Sequence, residues 1–361
     1  MKNVKNEFQN DLSFLKEITL LTGVSGNEKS VRQFMERELC HIADHTMRDN
    51  LGSIAMEFKG KGPRVLLCGH MDEIGFMVHS ISQKGLIYFT NLGGWDPRTL
   101  MSSPVEIINT EGNKVFGLIG SVPIHHLKDP SGKLSIDDMY IDIGAENDKE
   151  VREVFKIEKG NFIVPVTSFK YIEEKNVIVS KAFDDRVGVS IAIEAGKHFS
   201  NKKHPNTLVC AGTVQEEVGT RGAQTIANLV KPDLAIVLEG APGDDFPSNR
   251  EENQAKMKAG VQLRLIDPTM ISSPTFTEYT KKIANEMKIP IQIAVRKSGG
   301  TDAGKIHISN LGVPTIVLAA PIRYAHSHNG MLSLYDYKAM KDLVFALVER
   351  IDSNIYKRLI D

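Results

Sequence analysis

Apolar residues near the start of the chain recur at helical spacing. Leu12, Leu15, Ile18 and Leu21 form one stripe, and Gly23 stands where such a helix would stop. After the turn-forming stretch GVSGNE, Val31, Phe34, Met35 and Leu39 predict a second amphipathic helix. The period then changes. Val65 to Cys68 is a continuous apolar run that ends at Gly69-His70, as expected of a buried strand. TLVCAGTV (207–214), LAIVLE (234–239) and PTIVLAA (314–320) read the same way. Helical patterns lie between and after them, in RVGVSIAIEAGKHF (186–199), TFTEYTKKIANEM (275–287) and SLYDYKAMKDLVFALVERI (333–351). Strands alternating with helices predict an α/β fold, a mixed sheet flanked by helices.

The middle of the chain breaks this rhythm. From about residue 72 to 165 the runs are short and β-like, as in GLIYFTNL, SPVEIINT, NKVFGLIG and NFIVPV, and Gly, Pro and Asn punctuate them. A small β-barrel or sandwich inserted into the α/β domain accounts for this. The parent domain is then discontinuous, with residues 1–71 and 166–361 on either side of an insert at 72–165.

Bulk properties narrow the function classes. The 361 residues are 41% apolar and 25% charged, with a net charge of −1. That is ordinary globular composition, and it offers no basic surface for nucleic acid or an anionic membrane. The three cysteines, Cys40, Cys68 and Cys210, are scattered and lack CxxC spacing. They argue against a disulfide framework and a thiolate zinc site, and for a reducing cytoplasm. The N-terminal stretch has no uninterrupted apolar core, so no secretory signal is expected, and no run is long enough to span a membrane.

The polar residues are informative by position. His70 closes one predicted strand, Glu216 and Glu217 another, and Glu239 a third, while His326 follows the last strand by a few residues. Asp184 and Asp185 stand just ahead of a predicted helix in KAFDDRVG. Taken singly, each has an ordinary explanation. One histidine among 11 is usually structural, and paired carboxylates are usually solvated. An acidic pair ahead of a helix is most often an N-cap with its neighbour. Taken together they converge, because ligands of α/β sheets bind beyond the carboxyl ends of the strands. Two histidines and three carboxylates suit Zn²⁺ or a similar borderline ion. Two cations sharing a carboxylate would neutralise such a cluster. Asp72 lies two residues beyond His70 on extended chain, so its carboxylate can accept the far N–H of the imidazole.

The ordered set GHMDEIGFMV, KAFDDRVG, QEEVGTRGA, GGTDAG and RYAHS resembles the tetrahedral (TET) aminopeptidases. This is a group of cytosolic metallopeptidases that includes glutamyl and deblocking aminopeptidases, some of them named cellulase M. The likeness covers nearly the whole chain and resides in the combination rather than in any single motif. It implies a zinc-peptidase-like catalytic domain and an inserted dimerisation domain, to which LGGWDPRTLMSSPVEI and DDMYIDIGAE would belong. It implies that His70 and Glu239 bind one divalent ion, that Glu217 and His326 bind another, and that Asp184 bridges both. Glu216 would be the general base and Asp72 would orient His70. Gly299, Gly300, Thr301 and Asp302 match a loop near the substrate pocket, and Arg323 and Tyr324 match the RY before the ligand histidine. Zinc is the first expectation for the two ions, with cobalt or manganese as alternatives. Peptides are the implied substrates, and dimers assembling into a tetrahedral dodecamer the implied quaternary structure.

Two departures bear on substrate preference. Position 239 is Glu where aminopeptidases of the group usually have Asp, and Glu there accompanies carboxypeptidase-type members of the wider clan. The stretch PGDDFPSNREENQAKMKAGVQL also lacks the usual glycine-rich LGKGP form. His328, two residues beyond His326, is a competing imidazole. Arg296 and Lys297 precede SGGTDAG; they could favour acidic substrates, and are read here as a solvated basic pair. The expected activity is metal-dependent removal of N-terminal residues, with Glu216 taking a proton from water and passing it to the leaving amine. A two-metal carboxypeptidase or deacylase is the nearest alternative. A glycoside hydrolase, which would leave both histidines unexplained, and an inactive assembly scaffold come from other classes. The resemblance leaves the preferred N-terminal residue and the physiological metal open.

Overall fold

Three strands, β1 (His45–Arg48), β2 (Ile54–Phe58) and β3 (Arg64–His70), open the main sheet. The structure is a computed structural model that describes residues 8–122, 134–247 and 253–360. The chain then leaves the sheet and forms a closed six-stranded antiparallel barrel. Its strands are β4 (Gly75–Ile81), β5 (Ile87–Leu92), β6 (Pro104–Ile108), β7 (Lys114–Gly120), β8 (Tyr140–Asp142) and β9 (Phe162–Pro165). It returns to the sheet with β10 (Lys170–Ile172), β11 (Val177–Ser180), β12 (Thr207–Thr213), β13 (Leu234–Pro242), β14 (Val261–Asp267), β15 (Met270–Ile271), β16 (Ile291–Val295), β17 (Thr315–Arg323) and β18 (Gly330–Ser333). The helices are α1 (Gln9–Leu20), α2 (Lys29–Leu39), α3 (Phe183–Ser200), α4 (Arg221–Val230), α5 (Pro274–Glu286), α6 (Ala303–Ile306), α7 (Leu334–Arg350) and α8 (Ser353–Ile360).

The main sheet is mixed, with its strands in the order β1-β2-β12-β3-β13-β17-β18-β11-β10 and β14 joining at β17. Its centre, β12, β3, β13 and β17, is parallel. These are the four apolar runs of the sequence, and both of their faces are covered. Val65, Leu67, Leu208, Cys210, Ile236 and Leu318 pack with α1, α2, α3, α5 and α7. The alternate residues Leu66, Cys68, Val209, Val237 and Val317 pack with α4 and α6. Fully burying one such side chain is worth about 1.5–3 kcal/mol, so the double-sided core fixes these strands firmly.

The barrel has its own core, centred on Phe76, Val78, Ile87, Val105, Ile107, Ile119, Ile141 and Ile163. The short, more polar edge strands β1 (HTMR) and β10 (KYI) have largely exposed residues, which is why their hydrophobic pattern gave no strand signal. Two boundaries differ from the sequence reading. β12 stops at Thr213, so Glu216 and Glu217 lie on the loop beyond it rather than on its last residues. β13 runs on to Pro242, so Glu239 lies inside the strand. Within PGDDFPSNREENQAKMKAGVQL, residues 248–252 lie outside the described residues.

No helix among the described residues is long and apolar enough to cross a membrane. The three cysteines are free.

Candidate active site

The parallel centre of the sheet aims its carboxyl ends at one place. Thr213 pairs with His70 at the ends of β12 and β3, and Val237 pairs with Cys68 on β13 and β3. His70 and Glu239 thus both lie two residues beyond that last pair. Their side chains approach, with His70 Nε2 3.9 Å from Glu239 Oε2.

Asp184 and Asp185 divide the work of their motif. The peptide between them is cis, and neither residue has helical φ/ψ. Asp185 Oδ1 accepts the N–H of Gly188, as an N-cap does, and Asp185 Oδ2 accepts the N–H of His70. The strand end and the helix start can lie this close because Gly69 has no side chain; a Cβ there would meet Val189 N at 2.6 Å. Asp184 is left to face the site. It sets Oδ1 3.1 Å from His70 Nε2 and Oδ2 3.4 Å from His326 Nε2. One oxygen toward each histidine is the arrangement a bridging carboxylate requires.

The glutamate pair is placed by the loop after β12. Gln215 has φ of 57°, and the N–H groups of Gly219 and Thr220 both donate to Glu216 O. The carboxylate of Asp72 accepts the N–H of Glu216 at 2.9 Å and of Glu217 at 3.1 Å, and the hydroxyl of Ser25 at 2.6 Å. His70 Nδ1 lies 3.0 Å from the main-chain oxygen of Asp72 and 3.6 Å from its carboxylate. The imidazole is therefore oriented chiefly by the Asp72 carbonyl, while the carboxylate holds the glutamate loop. Glu217 Oε1 lies 3.4 Å from His326 Nε2, and Glu216 Oε2 lies 4.0 Å from His70 Nε2.

His326 comes from a strained segment, with φ of 60° at Tyr324 and 58° at His326. Its Nδ1 lies 2.8 Å from the carbonyl of Gly94, on the connection between β5 and β6. The barrel thus supplies the group that fixes this imidazole, a contribution no sequence pattern announced. His328 is buried against Trp95 and does not reach the cluster.

A cavity of about 430 Å³ opens over these groups. His70, Asp184, Glu216, Glu217, Glu239 and His326 lie on one side of it, and Gly299, Gly300 and Thr301 on another. Asp302 is placed behind that loop, where it accepts a hydrogen bond from Thr213 Oγ1. Arg323 turns away and donates to both oxygens of Asp245. Tyr324 lines a neighbouring groove of about 560 Å³. Arg264, Arg296 and Thr269 also line the main cavity. The first and third were missed because they belong to unremarkable strand and turn sequences; the second was read as solvated. A larger groove of about 710 Å³ between α5 and α8 carries no histidine, so chemistry rather than size marks the site.

The electrostatics of the cluster match a cation site. Burial pushes Glu217 up to about 7, with repulsion from Asp184 adding to it. Burial also lifts Glu216 and Glu239 well above the usual carboxylate range. Burial alone would depress His326, but Glu217 and Asp184 lift it to about 10. His70 is raised in the same way by Asp184 and Asp72 against its burial. Asp184 resists burial and stays below the usual range because both histidines face it. The raised groups bind protons more readily than they would in water, protons that a divalent ion can displace, while Asp184 keeps its charge for it. His70, Asp184 and Glu217 offer ligand atoms within 4.8 Å of one another, as do His70, Asp185 and Glu239. Asp185 already spends both oxygens on main-chain amides. Nitrogen and oxygen donors from imidazole and carboxylate fit a borderline divalent cation. No Phe, Tyr or Trp lines the main cavity among the described residues, so it has no stacking platform for a sugar.

The chain matches the family described as M42 glutamyl aminopeptidase over residues 52–343. It is 37% identical over 337 residues to FrvX of Escherichia coli (strain K12), a match covering 92% of this chain and 94% of that one. A TET aminopeptidase from the marine sediment archaeon Thaumarchaeota archaeon SCGC AB-539-E09 superposes with a TM-score of 0.93 at 38% identity, covering 97% of this chain and 99% of that one. The TET1 peptidase of Pyrococcus horikoshii, which can assemble into a tetrahedron or a large octahedral shell, gives a TM-score of 0.83 at 31% identity, covering 94% and 99%.

Proposed function

Because the chain belongs to the M42 glutamyl aminopeptidase family and is an aminopeptidase, we propose that it removes N-terminal residues from peptides with Glu216 as general base. Two divalent ions, zinc in the first instance and cobalt or manganese as alternatives, would be held in a shared cluster. His70 and Glu239 would hold one, Glu217 and His326 the other, and Asp184 both. The observation that carries this reading is Asp184 turning one oxygen to each histidine. Bound there, the ions supply Lewis-acid polarisation of the scissile carbonyl and lower the pKa of a water.

The chain's own residues do the rest. Glu216, raised by burial and by neighbouring carboxylates, has the proton affinity to accept a proton from the attacking water. It returns that proton to the amine nitrogen as the C–N bond breaks. Asp72 keeps Glu216 and Glu217 in their separate places by holding both of their amides. Glu239 has the reach to face His70 from inside β13.

Glu216→Gln tests the assignment. The variant should keep its metal and lose about 10²–10⁴ in kcat. Full activity of Glu216→Gln, together with a metal-loaded but inactive Glu217→Gln, would reverse the two roles.

The barrel is proposed as the dimerisation domain of the insert at 72–165. Phe116 and Leu118, both exposed, give the outer face of β7 the apolar surface that a second copy would cover. The assembly is proposed to be a homo-oligomer built from dimers, and the compartment a reducing cytoplasm, in keeping with three free cysteines.

A further inference from the structure

The turn GVSGNE, residues 23–28, joins α1 to α2, and none of its residues lines the catalytic cavity. Two of its polar side chains are nevertheless buried, Ser25 at 4% exposure and Glu28 at 6%. Both are directed at the chain that carries Glu216 and Glu217. Ser25 Oγ donates to Asp72 Oδ2 at 2.6 Å. Glu28 Oε1 accepts the N–H of Gln215 at 3.1 Å, across 187 residues of chain, and the N–H of Gly26 at 2.7 Å. Taking a carboxyl group out of water is costly, and a turn between two helices gains nothing from it by itself.

Three consecutive amides of the loop after β12 are thereby held by two buried carboxyl groups. Glu28 accepts from Gln215, and Asp72 from Glu216 and Glu217. The two acceptors rest on different parts of the fold. Asp72 stands two residues beyond His70, on the chain leaving β3. Glu28 belongs to a turn that is anchored independently of the loop. Val24 forms a parallel bridge with Glu73, and the N–H of Gly23 donates to Glu73 Oε1 at 3.1 Å. Glu28 O accepts the N–H groups of Val31 and Arg32, both at 3.0 Å, where α2 begins. The residue so held is the one whose backbone matters most. Gln215 has φ of 57°, a conformation that a non-glycine residue keeps only where its surroundings impose it.

We infer that Glu28 is a positioning residue for Glu216, acting through the amide of Gln215. This rests on the reading of Glu216 as general base. With the acceptor in place, the left-handed turn is fixed and Glu216 is held at the edge of the cluster, 4.0 Å from His70 Nε2. Without it, the N–H of Gln215 must find another partner, the turn relaxes and Glu216 shifts. A misplacement of about 1 Å can cost about 10²-fold in rate. Glu217, two residues further on, keeps its bond to Asp72 and its approach to His326. The loss therefore falls on proton transfer and spares the proposed metal ligands.

The test compares three variants of the metal-loaded protein with Leu-p-nitroanilide as substrate. Glu28→Gln keeps the acceptor oxygen, Glu28→Asp withdraws it by one methylene, and Glu28→Ala removes it. Glu28→Gln should keep kcat close to wild type. Glu28→Asp and Glu28→Ala should lose about 10–100-fold in kcat, with KM and bound metal, measured by atomic absorption, unchanged. Amide hydrogen exchange gives a readout independent of turnover. Gln215 should lose protection in the Asp and Ala variants and keep it in Glu28→Gln, while Gly222, which donates to Val214 O in the same loop, stays protected in all three. Should Glu28→Ala fail to fold, Glu28→Asp carries the comparison. Lower thermal stability with kcat per folded molecule unchanged would make Glu28 merely structural and overturn the inference. So would a Glu28→Gln variant as slow as Glu28→Asp, because charge rather than the acceptor oxygen would then be responsible. Glu216→Gln separates the two readings. If it is inactive while Glu28→Asp turns over normally, only this inference falls; if it is active, the general-base reading falls with it.

Discussion

Asp72 Oδ1 accepts the main-chain N–H of Glu216 at 2.9 Å. A buried carboxylate thereby sets the position of Glu216, the proposed general base, through its backbone, with the second oxygen holding Glu217 and Ser25. The two adjacent glutamates are separated by this clamp and by the left-handed Gln215, rather than by the alternation of a strand. Asp72→Asn replaces one acceptor oxygen with a donor facing a donor. We expect kcat or metal affinity to fall by roughly 10–100-fold, and stability by about 1–3 kcal/mol. Metal titration and steady-state kinetics on the same preparation would check this. A variant with wild-type kcat and affinity would remove Asp72 from the positioning of the pair.

Metal binding should release protons. In the protein alone the neighbouring carboxylates lift His326 to about 10, so it carries a proton at pH 8, and they raise His70 well above the usual imidazole range, favouring its protonated form. A cation must displace those protons, and below about 7 it must also displace one from Glu217. Apparent affinity should therefore weaken as pH falls, by about tenfold per pH unit for each proton released. Calorimetric titration in two buffers of different ionisation enthalpy gives the count directly. Chelation should abolish activity, and zinc, cobalt or manganese should restore it. Binding that is independent of pH between 6 and 8 would contradict the ligand set.

Glu28 gives a pH effect on stability outside the metal cluster. Burial first, and Asp72 second, lift its carboxyl to about 7 from an ordinary 4.5. A carboxyl raised on folding stabilises in its protonated form. That contribution is complete below 4.5 and is lost as pH rises through 7. The loss amounts to roughly 3 kcal/mol at most. Glu28→Gln keeps the oxygen that accepts from Gly26 and Gln215 and cannot ionise. It should match wild type near pH 4.5 and be the more stable protein near pH 9. Denaturant unfolding at the two pH values decides it; a difference that does not change with pH would be the contrary result.

Gly300→Ala should separate binding from chemistry. The added methyl would meet Thr269 Cγ2 at 2.6 Å on the wall of the cavity. The loop must move, and KM should rise by roughly tenfold with metal content unchanged. Equal losses in kcat and metal content would show instead that the loop supports the cluster.

The sequence by itself determined the elements and the chemistry available to them. Four apolar runs read as buried strands, and their ends named His70, Glu216, Glu217, Glu239 and His326 as residues that would converge, since groups at the carboxyl ends of parallel strands share one edge of the sheet. The rhythm of the middle segment marked a separate β unit. What the sequence could not set was which strand lies beside which. With both faces apolar, a buried strand has no amphipathic pattern to specify its neighbour or its register. Only the tertiary structure decided that Asp185 would cap α3 while Asp184 faced both histidines, because two adjacent aspartates are identical in composition and differ only in backbone direction. It decided likewise that the carbonyl of Gly94 would orient His326 across 232 residues of chain, and that Arg264 would leave an ordinary strand to line the catalytic cavity. Main-chain groups and single residues without a motif carry no signal in a linear pattern. They acquire their roles when packing brings them within hydrogen-bond or charge distance of a site.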